Sequence, residues 1–230
     1  MGFLHEGHLS LVRQAQNHAD KVIVSIFVNP TQFAPNEDLE KYPRDLEGDF
    51  NKLRQLQVDA VFCPSLQEIY PDNYDTFITP NKLALHLCGK SRPIHFRGVC
   101  TVVYRLFKIT KCDTAIFGKK DYQQLQIIKK MVEDLSLDIQ IVGCEIVRES
   151  DGVAMSSRNK FLNKGERKQA VALIQSLRLA KSAVAQGETS AEKLIEIVKN
   201  RIGMEPDATI DYVSIVDACT LEPSHNLKTP

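Results

Sequence analysis

The run Lys21-Val22-Ile23-Val24-Ser25-Ile26-Phe27-Val28 limits the possible folds more than any other stretch of this sequence. β-branched side chains crowd a helix and suit a pleated strand. Because successive rather than alternate positions are apolar, the run predicts a strand buried on both faces. The following segments alternate in type. Asp45 is placed to cap a helix from Leu46 to Gln57, and Asp59-Ala60-Val61-Phe62-Cys63 reads as a short strand. Gly98 to Lys111 has helical spacing, Ala115-Ile116-Phe117 is strand-like, Tyr122 to Leu135 helical, and Ile139-Gln140-Ile141-Val142 strand-like again. Strands alternating with helices predict a parallel sheet covered on both faces. After about Arg158 the pattern changes. A long amphipathic helix is expected from Lys164 to Gln186, stopped by Gly187, then a helix from Ser190 to Arg201 and a strand from Ile210 to Val216. The expected class is α/β, with residues 1-147 as the main domain and 148-230 as a small α+β domain.

Charge and cysteine use narrow the partners. Lys+Arg and Asp+Glu each number 29, so the formal net charge is zero. Such a chain lacks the basic footprint that phosphate backbones select, so no nucleic-acid partner is expected, although a local basic pocket for one nucleotide is compatible. No apolar run approaches the roughly 20 residues needed to span a bilayer, and no membrane partner is expected. The opening residues, Met1 to His8, lack the basic start and apolar stretch of a secretory signal. Six cysteines (Cys63, Cys88, Cys100, Cys112, Cys144 and Cys219) form no CxxC pair, and most fall in apolar runs that read as core. Reduced thiols in a cytoplasmic protein are expected, without disulfides or zinc.

Four short segments carry chemistry. His5-Glu6-Gly7-His8 opens an apolar-periodic stretch, so its two histidines share one face of a first helical turn. Free backbone N–H groups and the helix dipole favour an anion there, and the imidazoles add donors for charge developing at phosphorus. Two surface histidines at a helix start would read the same way. Met155-Ser156-Ser157-Arg158 follows the turn-forming Glu149-Ser150-Asp151-Gly152 and offers hydroxyls and a guanidinium to a triphosphate. Phe117-Gly118-Lys119-Lys120-Asp121 lies between a strand and a helix, where open parallel sheets bind ligands. Asp121 there suits a helix cap, a ribose hydroxyl or a metal. Asn29-Pro30-Thr31-Gln32-Phe33 ends the first strand, and Gln32 offers both a donor and an acceptor to a substrate with hydroxyl and carboxylate groups.

Read in order, MGFLHEGHLSLV, VSIFVNPTQF, YPRDLEGD, SRPIHFRGV, FGKKDYQQL and SDGVAMSSRN resemble the pantothenate synthetase (pantoate–β-alanine ligase) family over nearly the whole chain. The resemblance implies a Rossmann-like nucleotidyltransferase (HxGH) domain with a C-terminal lid, assembled as a homodimer. It implies that ATP and pantoate give pantoyl adenylate and pyrophosphate with Mg²⁺, and that β-alanine then displaces AMP. By position, Met1, Gly2, Phe3, Leu4, His5, Glu6, Gly7 and His8 line the ATP site, with His8 the catalytic histidine and His5 beside it. Gly118, Lys119, Lys120, Asp121, Met155, Ser156, Ser157 and Arg158 also fall to ATP, as does Val147 through its backbone; Lys120 and Arg158 belong with the catalytic groups. Gln32 and Gln124 fall to pantoate, and Gln32 borders β-alanine. Three departures stand out. Lys119 replaces a usual Glu, which is expected to raise local positive charge. Ile94 replaces a usual Gly before His95-Phe96-Arg97, which is expected to stiffen that loop. The family's first Rossmann strand, ending in Pro-Thr, and its last C-terminal strand are expected to lie outside this sequence, which leaves Lys21 to Val28 short of a partner. Another HxGH adenylyltransferase, or a non-catalytic remnant that binds ATP or pantoate, fits the same motifs less fully.

Overall fold

The structure, a computed structural model, describes residues 1–35 and 37–227. In chain order the helices are α1 (Glu6–Gln16), α2 (Leu46–Gln55), α3 (Leu66–Ile69), α4 (Cys88–Ser91), α5 (His95–Thr110), α6 (Tyr122–Asp134), α7 (Lys164–Gln169), α8 (Val171–Ala185) and α9 (Ala191–Ile202). The strands are β1 (Ile23–Ser25), β2 (Ala60–Phe62), β3 (Thr114–Gly118) and β4 (Gln140–Cys144). Contacts divide the chain into two compact units: Met1–Val147 with Met155–Ser157, and Arg148–Ala154 with the residues from Arg158 onward.

The first unit is α/β, and both of its strand pairs are parallel: β1 with β2, in register Val24 to Val61, and β3 with β4, in register Ile116 to Val142. These form separate two-stranded sheets among the described residues, where one covered sheet was expected. Leu4, Val12, Val22, Val24 and Leu53 make one core cluster, which puts α1 and α2 over the first pair. Phe96, Cys100, Phe107, Ile127, Ile128 and Met131 make the other, which seals α5 and α6 over β3 and β4. The run from Lys21 to Val28 yields only three strand residues. Its start is held by a side chain instead of a ladder, with Asp59 accepting from the Val22 N–H (2.9 Å) and from Lys21 Nζ (2.7 Å). Past Ser25 the Ile26 N–H still reaches the Phe62 carbonyl (2.9 Å), but β2 runs into Pro64, which has no N–H to extend the ladder. Nor is the run buried on both faces: Val22 and Val24 are inside, whereas Ile23 is 47% exposed. On the far edge of β1, the Phe27 N–H donates to the Met1 carbonyl (3.1 Å), so the opening segment runs beside that strand before it enters α1.

The second unit packs α8 on α9, with Ala172, Ile174, Leu194, Val198 and Ile202 inside. The single helix expected from Lys164 to Gln186 is two. At Ala170 (φ −55°, ψ −22°) the bonding shortens, the Leu173 N–H reaching back only three residues to the Ala170 carbonyl (3.2 Å), and α8 begins afresh. Gly187 does stop α8, at φ +97°. The strand expected from Ile210 to Val216 does not form. Among the described residues its one ladder contact is an antiparallel bridge between Val216 and Pro223, and a proline cannot donate the next bond. Arg148 to Ala154 folds as a tight hairpin around Gly152 (φ +94°), braced by Arg167 on Glu149 (3.0 Å) and Asp151 (2.7 Å). Of the six cysteines, most of which were expected in the core, Cys100 and Cys144 are buried, Cys88 and Cys112 half-buried, and Cys63 and Cys219 exposed; none is paired. Among the described residues no helix is long and apolar enough to cross a membrane.

Candidate functional site

The two histidines are built into the start of α1. His5 is its N-cap, and the His5 Nδ1 accepts from the Gly7 N–H (3.1 Å). His8, three residues on, returns the interaction: its Nδ1 accepts from the His5 N–H (3.4 Å). The rings lie 4.0 Å apart between centroids. With Nδ1 spent as an acceptor, the proton of a neutral His8 ring sits on Nε2, which makes that nitrogen a donor. Burial, then the neighbouring His5, with Lys120 and Lys52 adding repulsion, pushes the His8 pKa down to about 3. His8 is thus a neutral hydrogen-bond donor at physiological pH. Gly7 is required by this arrangement, since a Cβ there would stand 2.9 Å from the His5 ring.

The turn ahead of α1 is held by a residue the sequence reading passed over. Asp49, on α2 and only 1% exposed, accepts from the Phe3 N–H (2.8 Å) and the Leu4 N–H (2.6 Å). It fixes Phe3 at φ +50°, a left-handed conformation that costs about 1–3 kcal/mol in a non-glycine residue. The signal available was an acid one turn ahead of Leu53 on the buried face of α2.

The other phosphate-suited segments gather beside α1. Buried Ser157 donates from Oγ to the Phe3 carbonyl (3.1 Å), and a Cβ on Gly7 would lie 3.6 Å from the Met155 Cβ. The Val147 carbonyl accepts from the Met155 N–H (3.0 Å), while its own N–H has no bonding partner among the described residues. Glu6 is exposed and engaged by Arg13 on its own helix. Gly118 ends β3, and α1 packs against that strand, which places Lys120 close enough to act on His8. Asp121 stands at the N-cap of α6 without a side-chain capping bond; its nearest cation is Lys120 Nζ at 3.5 Å. The capping alternative for Asp121 is therefore not what the structure contains. Lys119 is ion-paired with Glu145 on the adjoining chain segment. Arg158 is exposed and belongs to the second unit. Ser156 is half-buried in the first.

Gln32 closes a short 3₁₀ turn, Pro30–Gln32, capped by buried Asn29. The Asn29 Oδ1 accepts from the Tyr70 hydroxyl (2.9 Å) and the Thr31 hydroxyl (3.0 Å), and its Nδ2 donates to the Gly98 carbonyl (3.1 Å). Gly98 allows this approach: a Cβ there would sit 2.4 Å from the Thr31 carbonyl oxygen. Gln124 is half-buried in the first turn of α6, and its side chain makes no hydrogen bond among the described residues. Its neighbour Gln123 is the one sealed in, accepting from the Cys88 N–H (3.1 Å) and donating to the carbonyls of Leu83 (2.9 Å) and His86 (2.7 Å). Asp121 is near enough to act on His95, which in turn contacts Gln32, so the glutamine turn and the Lys-Asp segment belong to one neighbourhood. Ile94, at φ −92° and ψ −12°, occupies backbone space open to any residue.

A family profile described as pantoate-beta-alanine ligase matches residues 1–229. A pantothenate synthetase of Thermotoga petrophila is 54% identical over 223 residues, 97% of this chain and 80% of that protein. One of Enterococcus faecalis is 54% identical over 222 residues, covering 96% and 79%. A crystal structure of the Thermus thermophilus pantothenate synthetase superposes with a TM-score of 0.96 at 41% identity, covering 99% of this chain and 83% of that one. A Francisella tularensis pantoate-beta-alanine ligase, solved with beta-gamma ATP and beta-alanine, gives a TM-score of 0.76 at 41% identity, covering 87% and 75%.

Proposed function

The chain belongs to the pantoate-beta-alanine ligase family, and from that premise we propose how its own residues carry the reaction. It is a ligase that condenses pantoate with β-alanine at the expense of ATP. In the first step a carboxylate oxygen of pantoate attacks the α-phosphorus of ATP. The bond from that phosphorus to the bridging oxygen breaks, and pyrophosphate leaves with the electron pair. In the second step the amine of β-alanine attacks the acyl carbon of pantoyl adenylate. The acyl C–O bond breaks, AMP leaves, and the new amide nitrogen gives up a proton.

The observation that carries this reading is the pair of backbone-tied histidines at the start of α1, with His8 held neutral as an Nε2 donor beside Lys120. Attack on the α-phosphorus concentrates negative charge between nucleophile and leaving group, and fixed donors offset it without reorganising. His8 and His5 donate there, Lys120 and Arg158 supply positive charge, and the backbone of Met1 to His8 with Gly118, Val147, Met155, Ser156 and Ser157 cradles the nucleotide. Gln32 and Gln124 orient pantoate for in-line attack, and Gln32 also meets the amine substrate. Mg²⁺ fits the residues present. It takes one or two carboxylates, phosphate oxygens and water, so it needs no all-protein cage, and exposed, uncapped Asp121 is the carboxylate that would hold it to neutralise phosphate charge. The beta-gamma ATP and beta-alanine with which the Francisella relative was solved support a nucleotide and an amine as substrates. The family resemblance supports a homodimer, which sedimentation tests; six unpaired thiols support a reducing, cytoplasmic setting.

Pyrophosphate release tests the whole reading. ATP should yield pyrophosphate only with pantoate present, and AMP should appear freely only once β-alanine is added. Equal release without pantoate, or with nicotinamide mononucleotide in its place, refutes it.

A further inference from the structure

Gln32 is held at both its side chain and its backbone: its Oε1 accepts from Asn29 Nδ2 (3.3 Å), and the peptide that follows it is gripped separately. Its carbonyl oxygen accepts two N–H donors, from His95 Nδ1 (2.9 Å) and from Arg92 Nη2 (3.3 Å). A carbonyl cannot donate, so the His95 proton is on Nδ1. Arg92 is itself fixed: its Nε donates to Glu37 Oε1 (2.7 Å) and its Nη2 to Glu37 Oε2. Its backbone N–H donates to the carbonyl of Cys88, whose own N–H is taken by buried Gln123. The loop from Leu83 to Arg92 is therefore pinned at one end by the residue next to Gln124 and grips Gln32 with the other.

We propose that Arg92, locked by Glu37, is a positioning residue for pantoate: it fixes the peptide plane after Gln32 and so the direction from which the Gln32 carboxamide meets the substrate. This rests on the reading of Gln32 given above. A half-exposed ion pair adds little net stability, so its value lies in orientation. Arginine suits the task because its planar fork reaches the carboxylate and the carbonyl together, which a lysine ammonium on a flexible stem does not. With both carbonyl lone pairs occupied, the peptide has no low-cost rotation left to it.

The experiment compares Arg92→Ala, Arg92→Lys, Glu37→Gln and Gln32→Ala in the full chain, measuring KM for pantoate and for ATP and kcat by pyrophosphate release, with a melting curve for each. Losing a charge-assisted hydrogen bond is expected to raise the pantoate KM about tenfold in Arg92→Ala, with the ATP KM within about twofold of wild type. Arg92→Lys and Glu37→Gln should fall between the two. Arg92→Lys keeps the charge and serves as the decisive variant if Arg92→Ala does not fold. A pantoate KM unchanged in folded Arg92 variants while Gln32→Ala raises it overturns the positioning role alone. Equal rises for pantoate and ATP also overturn it, as general loosening. If Gln32→Ala leaves the pantoate KM unchanged, the assignment of Gln32 fails, and the role of Arg92 with it.

Discussion

A neutral imidazole at position 8 donates a hydrogen bond and brings no charge of its own. Removing such a donor typically lowers turnover on the order of 10²–10³-fold. His8→Ala is therefore expected to lose kcat by that order with little change in ATP affinity, and unchanged turnover would return His8 to the rank of a helix-start residue. The same burial makes His8 a pH-dependent element of stability. Its folded pKa of about 3 lies below the ordinary 6.5, so between those values the unfolded chain binds a proton that the folded chain does not. The contribution is present above pH 6.5 and is lost as pH falls toward 3. At pH 4.5 the loss comes to about 2–3 kcal/mol. Urea midpoints at pH 7 and pH 4.5 should therefore fall less for His8→Gln than for wild type; equal falls would show that the ring is not held neutral. Asp49 was illegible as a site residue because its partners, the N–H groups of Phe3 and Leu4, lie 46 and 45 residues away and carry no side-chain signal. Asp49→Asn keeps the shape but turns an NH₂ toward a backbone donor. A loss of about 1–3 kcal/mol is expected in denaturant melts, with a higher KM for ATP.

Among elements, what the sequence foretold was the helices with local caps. Asp45 does cap α2, accepting from the Gly48 N–H (3.0 Å), and Gly187 does end α8. Helix signals act within one turn, so they survive whatever the rest of the chain does. Strand signals depend on a partner, and there the reading failed. Lys21 to Val28 has the composition of a long strand, yet its ladder extends only as far as β2 can answer it, and Ile210 to Val216 makes a single bridge, to Pro223, among the described residues. The break at Ala170 was equally hidden, since alanine favours a continuous helix. Gly98 shows the reverse case, a residue that reads as an ordinary helical position but marks where α5 touches the Asn29–Gln32 turn. Gly98→Ala should push α5 off that turn, costing about 1–3 kcal/mol by overpacking and raising the pantoate KM. A fully active, equally stable variant would mean that the turn does not need α5 against it.

Across the whole molecule, the six motifs were legible in their order, while the brackets that hold them were not, because Arg92, Glu37, Asp49 and Gln123 act on backbone groups far away in sequence. Each compact unit has its own buried residues, and ATP is assigned chiefly to the first. At about 100 times its Kd, ATP should add about 2.7 kcal/mol to the stability of whatever binds it. Hydrogen exchange should then slow along Leu4 to Val12 and Phe117 to Ile128; slowing confined to residues beyond Arg158 would move the nucleotide elsewhere. The grip on Gln32 also bears on how such an enzyme changes over generations. Every amino acid carries the same peptide carbonyl, so the clamp of Arg92 and His95 is blind to which side chain stands at position 32. A lineage, or a laboratory library, can exchange that side chain and sample other hydroxy acids while the scaffold beneath it stays intact.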